Sequence, residues 1–97
     1  MSDERDDLPE FEFDEAKSRS NKLKHGIDFV EEQDLWLDDD LYEVPARSVQ
    51  EERFLVIVRI GHRHWSAVFG FRGRRVRLIS VRRSRFEEVV IYESQRI

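Results

Sequence analysis

The sequence contains no cysteine, which excludes a disulfide framework, thiol catalysis and thiolate metal sites together. It also lacks any apolar run approaching the roughly 18 residues that a membrane-spanning helix needs. The N-terminus opens on Asp3, Glu4, Arg5, Asp6 and Asp7, not on the basic and then apolar stretch of a secretory signal, so the cytoplasm is the expected compartment. There is no Gly-rich phosphate loop or dinucleotide fingerprint, and neither Ser66 nor Ser80 sits in a recognisable nucleophile turn. No repeat, low-complexity segment or internal boundary breaks the 97 residues, whose 39% hydrophobic content leaves room for one core. A domain this small buries a modest share of its surface, so a permanent partner suits its marginal stability.

What the chain does have is a charge dipole. The formal net charge of -4 conceals 16 acidic and 6 basic groups in residues 1 to 50 against 5 acidic and 11 basic in residues 51 to 97. Between Arg59 and Arg85 there are nine arginines, no lysine and no acidic residue. A merely solvated surface intersperses both signs. A field of guanidinium groups favours bidentate contacts with phosphate or carboxylate instead, while the acidic half opposes indiscriminate binding to long nucleic acid.

Residues 1 to 9 are acidic, lack apolar periodicity and read as a flexible tail ahead of a single domain over residues 10 to 97. Glu10 to Phe13 alternates as a brief strand with both aromatics on one face. Asp14 can cap a helix that runs through Lys24 and stops at Gly26. On it Ala16, Ser20 and Leu23 are expected to face the core, with Lys17, Asn21 and Lys24 lining a different face. Asp28 and Glu31 have capping-box spacing and start a second helix with Phe29, Val30, Trp36 and Leu37 near the core, ended by Asp38, Asp39 and Asp40. Leu41 to Val44 reads as an edge strand ending at Pro45, followed by a polar link to about Glu52.

Three strands then follow: Arg53 to Ile60, apolar on both faces; His64 to Arg72, with Trp65, Ala67, Phe69 and Phe71 on one face; and Arg74 to Arg82 after a turn at Gly73. The last strand is expected to place Val76 and Leu78 on one side and Ile79 and Val81 on the other. Ser84 can cap a final helix through Gln95, with Phe86, Val89 and Val90 as its buried contacts. The fold class is therefore α+β: a small antiparallel sheet with helices packed on one face and a C-terminal helix.

Two groups of residues invite chemistry. Lys24 and His25 end the first helix, where a histidine can simply cap the last carbonyls or, if the arginine strands meet that end, move a proton at a bound phosphodiester. Arg59, Arg82 and Arg83 lie near strand ends, and Arg82 and Arg83, as consecutive strand residues, face opposite sides unless a bulge intervenes. His62 and His64 with His25 match none of the familiar zinc spacings, so no metal and no cofactor are expected. Trp65, Phe69 and Phe71 fit core packing, whereas Tyr92 has the apolar body and polar tip to stack on a base or donate a hydrogen bond near the arginines.

The opening FEFDEAKSRSNKLKHGIDF resembles the signature of the BrnT family of ribonuclease toxins, in which an aromatic-Glu-aromatic-Asp segment precedes a Lys, an Asn and Lys-His-Gly. The later stretch RVRLISVRRSRFEEVVIYE is similar to that family's second block, an Arg-Arg pair followed by a Glu and a Tyr-Glu pair. The resemblance covers about residues 11 to 29 and 75 to 93. It implies a RelE-like microbial ribonuclease fold and a metal-independent endoribonuclease toxin of a type II toxin-antitoxin pair. RNA would be its substrate, a BrnA-like antitoxin its neutralising partner, and operator DNA would be contacted indirectly through that antitoxin, with no membrane involved. By matching position it implies Lys24, His25, Arg82, Arg83, Glu88 and Tyr92 as catalytic residues, with Arg59 from the preceding strand. Lys24 or His25 would transfer protons, and Arg59, Arg82 and Arg83 would hold the phosphate.

The chain departs from that pattern at Val81, where alanine is usual, and at Phe86, Glu87 and Val89, where relatives are often basic or polar. A less cationic last helix implies weaker affinity for RNA. A second reading therefore stands beside the first: a non-catalytic interaction protein that binds an acidic partner through its arginine-rich face.

Overall fold

The computed structural model describes residues 8–46 and 52–96. Most of the expected acidic tail and most of the polar link before Glu52 lie outside the described residues. The elements in chain order are β1 (Phe11–Glu12), α1 (Glu15–His25), α2 (Phe29–Glu32) continued by a 3-10 segment (Gln33–Leu37), β2 (Tyr42–Ala46), β3 (Arg53–Ile60), β4 (Arg63–Arg72), β5 (Arg75–Arg83) and α3 (Phe86–Ser94). The strands form one sheet in the order β1-β5-β4-β3-β2, antiparallel except for the parallel pairing of β1 with β5. Pro45 sits in β2, an edge strand, where its missing N–H breaks no central ladder.

Local chemistry sets the helix ends. Asp14 accepts from the Lys17 N–H, and Gly26, at φ 79°, returns its own N–H to the Lys22 carbonyl in the left-handed conformation that glycine adopts without a Cβ clash. Asp28 and Glu31 form a full capping box at the start of α2. These boundaries are the expected ones, but the buried faces are not. Ala16 is exposed and Leu23 is 89% exposed; the buried residues of α1 are the polar Ser18 and Asn21. Val30, also expected in the core, is exposed, and Leu35 takes that role.

Helix α1 is therefore attached by hydrogen bonds. The Ser18 hydroxyl accepts from the Phe29 N–H at 2.9 Å. The Asn21 amide donates to the Ile27 and Val81 carbonyls, each at 2.8 Å, and its oxygen accepts from the Val81 N–H at 3.2 Å. Since β1 pairs with β5 only at Val76 and Arg77, Asn21 continues the ladder along the later part of the same edge. Peptide groups that would otherwise be buried and unpaired are thereby satisfied.

One face of the sheet carries the main core. Val56 and Val58 from β3, Ala67 and Phe69 from β4, and Val76, Leu78 and Val81 from β5 pack with Ile27, Phe29 and Leu35. Phe11 and Phe13 both pack against this core, as their alternation predicts. Val81 departs from the expected alternation. Leu78 lies opposite Phe69 but Ser80 lies opposite Val68, so Ile79 is an extra residue, a bulge that returns Val81 to the side of Val76 and Leu78.

The C-terminal helix crosses the opposite face. Its residues reach Ser66, His64 and Arg82, which alternate with the core-facing positions of their strands. Tyr92, 1% exposed, is its buried side chain. Phe86 and Val90, expected as buried contacts, are 80% and 46% exposed. The helix is capped at Arg85, one residue later than expected, with the Glu88 carboxylate accepting from the Arg85 N–H at 2.8 Å.

Candidate active site

Three side-chain groups contain the residues singled out from the sequence. The first is a cleft of about 210 Å³ between the later half of α1 and the edge of β5. Lys17, Ser20, Lys24 and His25 line it from the helix, Ile79 and Ser80 from the strand, with Asn21 between them. Lys17, Asn21 and Lys24 share one helix face by their spacing, and the Asn21 clamp on Val81 holds that face against the strand. The bulge at Ile79 lies in the cleft wall. Ser80 and Arg82 occupy the same face of β5, roughly 7 Å apart along the strand.

The second group surrounds Arg82. Its guanidinium makes two parallel contacts to Glu88, Nη1 to Oε1 at 2.7 Å and Nη2 to Oε2 at 2.8 Å. The same carboxylate accepts from the Ser66 hydroxyl at 2.9 Å, and the Ser66 and Ser84 hydroxyls are 2.8 Å apart. The Arg82 hydrogen bonds, followed by those from the Arg85 N–H and Ser66, outweigh partial burial and pull the Glu88 carboxyl down to about 2. The paired carboxylate raises Arg82 above its ordinary value in turn. Arg82 is thus held in one orientation, still partly open to solvent. Arg83, next along the strand, faces the opposite side and lies over the Trp65 ring at 5.5 Å from its centroid.

The third group joins the end of β3 to α3. Glu93 accepts from Arg59 at 3.4 Å and lies 2.8 Å from His64 Nε2. Its carboxyl is lowered, first by the His64 hydrogen bond and then by Arg96. Asp38 Oδ2 accepts from the Arg59 N–H at 2.8 Å and from the Tyr92 hydroxyl at 2.7 Å. Burial and that anionic acceptor both raise the Tyr92 hydroxyl above its ordinary value. Tyr92 therefore has its polar tip committed and its ring buried against His64.

The structure accordingly gathers Lys24 and His25 at the β5 edge, with Arg82 two residues along the same strand face. It pairs Glu88 with Arg82, sends Arg83 to the other face, and sets Arg59 and Tyr92 in a separate ion-pair network. Sequence reading missed Ser80 as a cleft residue and Ser66 and Ser84 as supports of Glu88. Ser80 and Arg82 share a face by alternation, but only the bulge, which has no signature in the residue types, puts that face opposite the core. Among the described residues, no three His, Asp or Glu side chains form a cluster that could hold a metal ion, and no helix is long and apolar enough to cross a membrane.

A comparison with curated proteins returned no match. The sequence model of the family described as the ribonuclease toxin BrnT of type II toxin-antitoxin systems matches residues 13–88, a span that runs from just after β1 through the bulged strand to Glu88, and the chain belongs to that family.

Proposed function

We propose that this chain is a metal-independent endoribonuclease, with its reaction centre where the end of α1 meets β5. Family membership supports a ribonuclease toxin neutralised by an antitoxin. The observation that carries the finer reading is the Asn21 clamp, because it holds the helix bearing Lys24 and His25 against the strand bearing Arg82. In the proposed reaction the RNA 2'-oxygen attacks the adjacent phosphorus and the bond to the 5'-oxygen breaks. Lys24 or His25 takes the 2'-hydroxyl proton, and the departing 5'-oxygen gains a proton from the same pair. Arg82, oriented by Glu88, offsets the charge that grows on the phosphorane, while Arg59, Arg83 and Tyr92 stay outside the reacting groups. The products are a 2',3'-cyclic phosphate and a 5'-hydroxyl.

The partners that fit this reading are RNA, a BrnA-like antitoxin and, through the antitoxin, operator DNA; the compartment is the cytoplasm. Folded, antitoxin-free protein incubated with RNA in excess EDTA should yield fragments with cyclic-phosphate ends. Lys24→Ala, His25→Ala and Arg82→Ala should each lower the rate while the thermal midpoints of the two helix variants stay at the wild-type value. Intact RNA across many sequences would leave the alternative, a non-catalytic protein that docks an acidic partner on its arginine-rich face.

A further inference from the structure

Ile79, the extra residue of the β5 bulge, is a wall of two separate hollows. On one side of it lies the cleft that holds Ser80, Lys24 and His25. On the other is a hollow of about 290 Å³ lined by Glu52, Phe54, Gly70, Phe71, Arg77 and Ile79. A cavity of roughly 150 Å³ admits one benzene ring, so this one has room for a planar system of one or two rings. Gly70 lies opposite Arg77 in the register and is buried within β4. Its φ is not positive, and a Cβ there would meet the Glu52 carbonyl oxygen at 3.4 Å, an ordinary contact. Neither backbone conformation nor crowding therefore calls for glycine in a strand that glycine weakens. What its missing side chain does is keep the hollow open. Arg77 comes two residues before Ile79, about 7 Å along the strand. Its contact to Glu12, at 3.9 Å, is at the outer limit of an ion pair.

We infer that this hollow receives a base of the RNA: with one nucleotide in the cleft at Ser80, the base next to it along the chain turns into the hollow, and Ile79 stands between the two as a wedge. The lining suits a base. Phe54, Phe71 and Ile79 are apolar, as the faces of a base require, while Arg77 offers donors and Glu52 acceptors to its edge. An apolar side chain set between successive bases separates them. A base already unpaired costs least to turn out of its stack, so the hollow favours single-stranded RNA. Position, not charge, decides for RNA over a protein side chain. The substrate is a polymer, and a nucleotide held in the cleft leaves its neighbour within one repeat of Ile79. This inference rests on the ribonuclease reading and adds to it a base-binding subsite beside the reacting groups.

The test uses a single-stranded RNA oligomer in which every ribose but one is 2'-O-methylated, so that a single bond can be cut. An abasic ribose replaces, in turn, the nucleotide on each side of that bond. Cleavage is measured as kcat/KM for wild type, Gly70→Ala and Gly70→Val, whose added side chains fill the hollow from its floor. For wild type, one of the two abasic residues should lower kcat/KM about tenfold, the worth of one base contact. Gly70→Val should lose about as much on the intact oligomer and nothing more on that abasic one, because no hollow is left for the base. Gly70→Ala, whose Cβ the strand accommodates, should show the same pattern to a smaller degree, and it decides the matter if thermal melting shows that Gly70→Val does not fold. Binding of the fully 2'-O-methylated oligomer, which cannot be cut because it lacks the attacking hydroxyl, should repeat the pattern in fluorescence anisotropy. The subsite is overturned if that oligomer does not bind wild type, if neither abasic residue affects wild type, if the abasic and Gly70 losses multiply, or if folded Gly70 variants handle the intact oligomer as wild type does. Normal RNA handling with loss of antitoxin binding in those variants would assign the hollow to the protein partner and also overturn it. Base-dependent binding without cleavage upholds the subsite and removes the ribonuclease, whereas cleavage indifferent to both flanking bases removes only the subsite.

Discussion

Glu32 provides the sharpest quantitative test of how the fold is held together. It ends α2 with a side chain that is 0% exposed, and neither carboxyl oxygen has a hydrogen-bond partner among the described residues. Burial alone raises its carboxyl to about 9 from an ordinary 4.5. Below pH 4.5 the group is protonated in both the folded and the unfolded chain and carries no penalty that depends on pH. Above that, the unfolded chain releases its proton while the folded chain keeps it, so each pH unit removes about 1.4 kcal/mol of stability until the folded group itself ionises near pH 9. The loss at pH 7 is about 3 kcal/mol, a large part of the roughly 5–15 kcal/mol that holds a typical domain together. Glu32→Met keeps a side chain of similar length, removes both unpaired oxygens and abolishes this titration. Urea unfolding at pH 5.5, 7 and 8.5, followed by the fluorescence of Trp36 against Phe69, should show a wild-type stability that falls more steeply with pH than that of the variant. The gap between them should widen by about 1.4 kcal/mol per unit. Parallel slopes, or a variant less stable than wild type at pH 8.5, would refute the claim that a neutral, unpaired carboxyl is buried there.

Three other perturbations probe the site. Asn21→Ala strands the Ile27 carbonyl and both peptide groups of Val81; it should cost about 2–4 kcal/mol in chemical denaturation and remove RNA cleavage together with the helix position. Glu88→Gln should cost about 2 kcal/mol at pH 7. Because the Glu88 carboxyl is held near 2, its contribution is complete above about pH 4.5 and disappears as pH falls towards 2, so wild type and Glu88→Gln should converge in acid-unfolding curves. Tyr92→Phe loses one hydrogen bond to Asp38 and should lower stability by about 1 kcal/mol with the RNA cleavage rate kept within a factor of two; a hundredfold fall in rate with unchanged stability would make Tyr92 a catalytic group instead.

Much of this protein was readable from residue order alone, because its local signals are short-range and unambiguous. Asp14 and Gly26 bound α1, the Asp28 and Glu31 pair starts α2, the alternation from Arg53 onward marks β3, and Gly73 turns the hairpin between β4 and β5; each depends only on a residue and its near neighbours. The two blocks of family resemblance are likewise linear, and they led to the family that the match over residues 13–88 shows. Which side chains are buried was a different matter. Helical spacing assigned Leu23 and Phe86 inward because apolar side chains usually are, yet α1 is held by Ser18 and Asn21, whose partners lie up to 60 residues away. Only the assembled sheet leaves an edge at Val81 for an amide to complete. The bulge at Ile79 is of the same kind: it arises from the register of β5 on β4, returns Val81 to the core and turns Ser80 and Arg82, which share a face by alternation, to the opposite side. The sequence by itself thus determined the elements and the chemistry available at their ends, whereas tertiary structure decided which of those ends meet, because hydrogen bonds between distant segments and strand register depend on geometry that no local pattern encodes.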